Sequence, residues 1–199
     1  HHVRDPNLPA AAFVSPRRPD SRYPFTGLAA AGVAYQVARA LLGEERAAKL
    51  LPLAALATVA DVVPLERDNR AIVHHGLRRF AADAPLGLQV LCVDAGVDAR
   101  ALTAWHLAFI LAPRVNAAGR MDDPMPALRL LLTEDAAEAR RLARRLSQLN
   151  ARRQEATERM LVQAEQRLAL GEGDLASVLL VAEEGWSVGL VGLVASRLA

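Results

Sequence analysis

The chain has 199 residues, 52% of them apolar, and a formal charge of +2, which allows one good core, or one core and the start of another. Its longest apolar stretches, Leu50 to Ala60 and Val188 to Ala195, fall short of the roughly 20 residues that cross a bilayer, so no membrane span is expected. Cys92 is the only cysteine, which excludes an internal disulfide or a thiolate metal cluster and fits a reducing, cytoplasmic compartment.

Residues 3–25 carry five prolines and read as an extended loop. Leu28, Val33, Val37 and Leu41 then mark a buried helix that stops at Gly43. The next helix starts at Glu44, breaks or kinks at Pro52, is apolar after Lys49 and ends near Asp61, before Val62, Val63 and Pro64. Asp68 and Asn69 start a further helix through about Phe80, with Ile72, Val73, Leu77 and Phe80 on one face. Leu86 to Cys92 suits either helix or strand. Thr103 to Ala112 reads as helix, and Pro113 opens a stretch from Arg114 to Met125 expected to be a binding loop. A short helix follows Pro126.

From about Asp135 to Leu170 there is neither proline nor glycine, and Leu142, Leu146, Leu149, Ala156 and Met160 form a narrow stripe among Arg and Glu. A helix of that length spans on the order of 50 Å and suits a connector between domains. After Gly171 and Gly173, Leu175 to Ala182 reads as a buried strand, and about Leu190 to Leu198 as an apolar helix. A strand and helix alone cannot cover both sheet faces, so a second domain is expected to begin here and the natural chain to continue.

Few residues suggest chemistry. His1 and His2 are either remnants of a tag or imidazole ligands for a metal. Asp61 lies in an apolar segment where burial of an unpaired charge is costly, so a cap, an arginine partner or a hard cation is expected to compensate it. Arg114, Asn116 and Arg120, with Gly119, suit phosphate oxygens, unless the arginines pair with Asp122 or Asp123. Arg152, Arg153 and Gln154 read from composition as solvated surface. Trp186 suits either base stacking or packing. Positive charge is almost all arginine, Lys49 being the only lysine, but an Ala and Arg bias explains that without any nucleic-acid partner.

Five segments in order resemble the RecJ family of 5′-to-3′ single-strand exonucleases, within the DHH phosphoesterase superfamily. They are Arg22-Tyr23-Pro24-Phe25 with Gly27 to Tyr35, ATVADVVPL (57–65), APRVNAAGRM (112–121), LNARRQ (149–154) and GWSVGLVGLVASRL (185–198). The resemblance implies an α/β protein cut at both ends: the mostly helical C-terminal part of a DHH catalytic domain over 1–133, a connector helix over 134–170, and the start of a DHHA1-type domain over 171–199. It implies metal-ligand roles for His1 and Asp61, a place beside the substrate phosphate for His2, and strand or scissile-phosphate contacts for Arg114, Asn116, Arg120, Arg153 and Gln154, with Arg120 foremost. The implied reaction is hydrolysis of single-stranded DNA to 5′-mononucleotides in repair and recombination, with two Mn²⁺ or Mg²⁺ ions. Single-strand-binding protein and a repair helicase are implied partners, and the protein is expected to be monomeric. The 199 residues alone are expected to be inactive. Ser187 departs from the histidine that the family places after the tryptophan. The rival readings are a DHH phosphodiesterase acting on nanoRNA or cyclic dinucleotides, and a non-catalytic nucleic-acid-binding module.

Overall fold

The computed structural model describes residues 12–169 and 178–199. In chain order the helices are α1 (Ala30–Leu42), α2 (Glu44–Ala48), α3 (Leu51–Ala60), α4 (Arg67–Asp83), α5 (Leu86–Asp94) and α6 (Ala104–His106). A π-helical segment (Leu107–Leu111) leads without a break into α7 (Ala112–Met121), followed by α8 (Met125–Leu132), α9 (Ala136–Ala169) and α10 (Val188–Leu198). Among the described residues there is no strand.

The core follows from helical stripes of apolar residues. Phe80 of α4, Leu88 and Leu91 of α5, Leu107 and Leu111 of the π segment, Leu130 of α8, and Leu142 and Leu146 of α9 are all fully buried in one cluster. Each such side chain stabilises the fold by roughly 1.5–3 kcal/mol relative to exposure. A second cluster joins Phe25, Leu28 and Tyr35 to Ala47, Leu51, Ala54 and Ile72, fixing α1 on α3 and α4. A third seats Leu190 and Val194 of α10 on Met160 and Ala164, far along α9. The long helix is therefore packed along one stripe, against α5, α7 and α8 and then α10, rather than being a bare connector.

Three expectations need correction. Arg114 to Met121 is helix, not loop: Pro113 stands in the first turn of α7, where its missing N–H is tolerated, so it does not stop the helical run from α6. Pro52 likewise sits in the first turn of α3, after the short α2 has ended. The strand expected over Leu175 to Ala182 is absent from residues 178–182, the only part of it described; Val178 and Leu180 there are exposed, and no neighbouring backbone pairs with them as a ladder requires. The α/β character is thus not borne out in the described residues, which are helical. Leu86 to Cys92, open between helix and strand, is helix; Cys92 inside it is buried, which pushes its thiol pKa up to about 11.

α3 and α4 approach so closely that a β-carbon on Gly76 would lie 2.4 Å from the Ala55 Cβ and 2.6 Å from the Leu51 carbonyl oxygen. Gly76→Ala is therefore expected to destabilise by about 1–3 kcal/mol, overriding the roughly 1 kcal/mol by which alanine favours a helix. Urea denaturation of the two proteins measures this, and an unchanged or raised midpoint would contradict the packing.

Candidate phosphate-binding and metal-ligand site

α7 sorts its polar residues by helical period. Asn116 and Arg120 are four apart and share a face, while Arg114, two residues from Asn116, points elsewhere. Asn116 and Arg120 line a cavity of about 850 Å³ together with Asp61, at the C-terminal end of α3. Alanines of α1 and α3, Tyr35, Leu53, Val115 and Leu131 make up much of the remaining wall. The cavity thus has an apolar floor and three polar residues.

Asp61 is exposed, which corrects the expectation of a buried carboxylate. It caps the C-terminus of α3, where the helix dipole already carries partial negative charge, so a bare carboxylate there is disfavoured and a nearby cation is favoured. Among the described residues it accepts no side-chain hydrogen bond and forms no ion pair. Val62 follows at φ 55, a left-handed conformation unusual for a β-branched residue, which costs of order 1–3 kcal/mol. The chain beyond is held by Asn69, fully buried in α4, whose side-chain amide donates to the carbonyls of Pro64 (3.0 Å) and Gly27 (2.9 Å). The Asn69 Oδ1 has no protein partner. Tyr23 adds a second link, donating from its hydroxyl to Asp68 (2.6 Å). Asn69 is thus not merely the start of a helix; its place on the buried stripe with Ile72, Val73, Gly76 and Phe80 is the periodic signal that sets it inside.

The donor set fits one ligand of a hard cation, not a complete centre. Among the described residues no three His, Cys, Asp or Glu side chains cluster closely enough to hold a metal ion. His1 and His2 lie outside the described residues.

The arginines divide into two groups. Arg114 donates to the Ile110 carbonyl (2.7 Å) and the Ser147 hydroxyl (3.2 Å), and Ser147 donates in turn to Asp94, so its guanidinium braces the π segment, α9 and α5 together. Arg120, half-buried, donates to the Gly189 carbonyl at 3.2 Å. Neither arginine pairs with Asp122 or Asp123: Asp122 meets Arg145 at 3.5 Å and Asp123 accepts from the Met125 amide. On α9, Arg153 is half-buried and donates to the Asn150 amide oxygen at 3.0 and 3.2 Å. Burial, and then the nearby positive charges of Arg120 and Arg197, lower its pKa from the usual arginine value, yet the group stays protonated. Arg197 reaches Glu158 at 3.0 Å. Arg120 on α7 and Arg197 on α10 thus bring like charge near Arg153, an arrangement that favours an anion such as phosphate. Arg197 lies inside GWSVGLVGLVASRL, but nothing in that motif signals this company. Gln154 is exposed, and Trp186 donates to Gln163 at 2.9 Å while packing with the α10 cluster.

Two outcomes test this site. Asn69→Ala strands two carbonyls and is expected to cost about 2–3 kcal/mol in chemical denaturation; a loss below about 0.5 kcal/mol would contradict the bridging role. Burial and the Asp68 carboxylate raise the Tyr23 pKa to about 12, above the value of about 10 expected when unfolded. Its contribution to stability is therefore complete below pH 10 and lost as pH rises towards 12. Ultraviolet titration of the phenolate should show a midpoint near 12 that falls in Asp68→Asn, and a midpoint near 10 in the parent would be inconsistent with this contact.

No protein-family model matches the chain. Curated relatives match along all of it: the single-stranded-DNA-specific exonuclease RecJ of Bacillus subtilis is 42% identical over 199 residues, that of Thermus thermophilus 40% over 202 and that of Escherichia coli 37% over 217. The chain spans 25%, 29% and 38% of their respective lengths. Crystal structures of Thermus thermophilus RecJ with Mn²⁺ and with Mg²⁺ each superpose with a TM-score of 0.75 and 40% identity, over 90% of this chain and 26% or 28% of theirs. The resemblance first carried by five short motifs therefore holds from one end of the chain to the other: along its whole length the sequence is similar to part of a RecJ exonuclease.

Proposed function

We propose that the protein is a metal-dependent exonuclease that degrades single-stranded DNA from the 5′ end to 5′-mononucleotides, in repair and recombination, and that these 199 residues supply its phosphate-gripping face. The observation that carries this reading is that Arg120 lines one cavity with Asp61 and Asn116, while its charge and that of Arg197 act on the part-buried Arg153. The RecJ relatives are single-stranded-DNA-specific exonucleases, and their solved structures hold Mn²⁺ or Mg²⁺. The reading also takes 1–133 as the C-terminal part of a DHH catalytic domain, 134–170 as a connector and 171–199 as the start of a DHHA1-type α/β domain. A cytoplasmic monomer that works with single-strand-binding protein and a helicase completes it; no helix among the described residues is long and apolar enough to cross a membrane.

In this mechanism Arg120 holds non-bridging oxygens of the scissile phosphate and the Asn116 amide orients the strand beside it. Arg153, aimed by Asn150, takes a neighbouring phosphate; Gln154 stands next to it on the same helix. Arg114 acts by bracing α7, not by touching DNA. His2 stands near the phosphate. Divalent ions held in part by Asp61 and His1 supply an activated water and neutralise developing charge. Preference for a single strand follows from a basic channel that accepts backbone and exposed bases.

In the whole protein, Arg120→Ala is expected to lower kcat/KM on single-stranded DNA by about 10²–10³, as loss of one charge-stabilising donor does. Asp61→Ala should abolish Mn²⁺-dependent degradation. Full activity of either variant would overturn the corresponding assignment, and faster turnover of dinucleotides than of long single strands would replace the substrate.

A further inference from the structure

α7 and α10 meet end to end at Arg120 and Gly189. A β-carbon on Gly189 would lie 2.3 Å from the Arg120 carbonyl oxygen, closer than real β-carbons come, and 3.2 Å from its carbonyl carbon, and both atoms are backbone. The Arg120 guanidinium meanwhile donates to the Gly189 carbonyl at 3.2 Å. The two residues therefore clasp each other: the backbone of one approaches the bare α-carbon of the other, and the side chain closes the loop. Below the clasp, Met121 packs in the cluster with Leu190 and Val194, so the approach is held by burial as well as by one hydrogen bond. Gly192, one turn further along α10, is exposed, and a β-carbon there would meet nothing within 4 Å. The two glycines share a helix, but only Gly189 is required by a neighbour.

We infer that Gly189 is a positioning residue that fixes the direction of the Arg120 guanidinium, so that α10 sets the grip of α7 on phosphate. This rests on the proposed phosphate contact of Arg120. A methyl group at 189 must move α10 away from α7, lengthening the bond that orients Arg120.

The test uses the whole protein and a fluorescent single-stranded oligonucleotide, with anisotropy read in EDTA to suppress cleavage and at several salt concentrations. Arg120→Ala is expected to weaken binding roughly tenfold or more and to flatten the salt dependence by about 0.7 in slope, the share of one single-strand phosphate. Gly189→Ala should reproduce both effects, and the double variant should bind no more weakly than Arg120→Ala alone. Gly192→Ala should bind as the parent does. A Gly189→Ala protein with parental affinity and slope, beside a weakened Arg120→Ala, would overturn the inference while leaving the phosphate contact intact. Parental binding by Arg120→Ala would instead remove the contact on which it rests. If Gly189→Ala does not fold, Arg120→Ala carries the test through amide exchange. Release of the guanidinium should speed exchange at residues 190–193 and leave α4 unchanged, and unaltered exchange in α10 would overturn the clasp.

Discussion

The structure depends on one apolar stripe along α9. Ala139, Leu142, Ala143, Leu146 and Leu149 bury against α5, α7 and α8, and the same stripe resumes at Met160 and Ala164 to receive α10. Since α7 and α10 share no sequence neighbourhood, only their common seat on α9 brings Arg120 and Gly189 into contact. One face of the first half of the helix is thus in the main core, and its role as a spine is set by burial rather than by helix propensity, which alone leaves long polar helices marginal.

Charge is arranged unevenly around that spine. Several exposed arginines find carboxylates: Arg129 and Arg141 meet Glu138, Arg167 meets Glu183, and Arg145 meets Asp122. Such exposed pairs contribute little stability individually. Arg153 is the contrast, part-buried beside Arg120 and Arg197 with an amide oxygen as its acceptor. Desolvating a guanidinium next to like charge costs free energy that an incoming phosphate would recover. Asp61, which lines the same cavity as Arg120, has the opposite sign and sits at the unfavourable end of its helix. Arg120 and Asp61 on one cavity suit a phosphoester held between an arginine and a cation.

Much of this was legible in the sequence because it follows from local rules. The long helix was bounded within a residue or two by the absence of proline and glycine, and the stripe on α4 by its spacing. Motif order was specific enough to imply the family. What was not legible depended on contacts between distant segments. Pro113 looked like a break because proline removes a donor, but the π turn before it and its first-turn position absorb that loss, so the arginine motif became a helix with two faces. That is why Arg114 parts company with Asn116 and Arg120. Asp61 looked buried because its neighbours in sequence are apolar; the apolar side chains of α3 pack inward, while at the helix end Asp61 and Val62 turn out. Asn69, Asn150 and Gly189 could not be given their roles from composition, since each is defined by a backbone or side chain that folding delivers to it.

The central claim is that α7, α9 and α10 together grip phosphate beside Asp61. The most direct measurement is a crystal structure of the whole protein with a short 5′-phosphorylated single strand and Mn²⁺. A phosphate within hydrogen-bond distance of the guanidiniums of both Arg120 and Arg153, with a metal ion on Asp61, is the predicted result. A strand bound along another face, leaving Arg153 and the cavity empty, would contradict it.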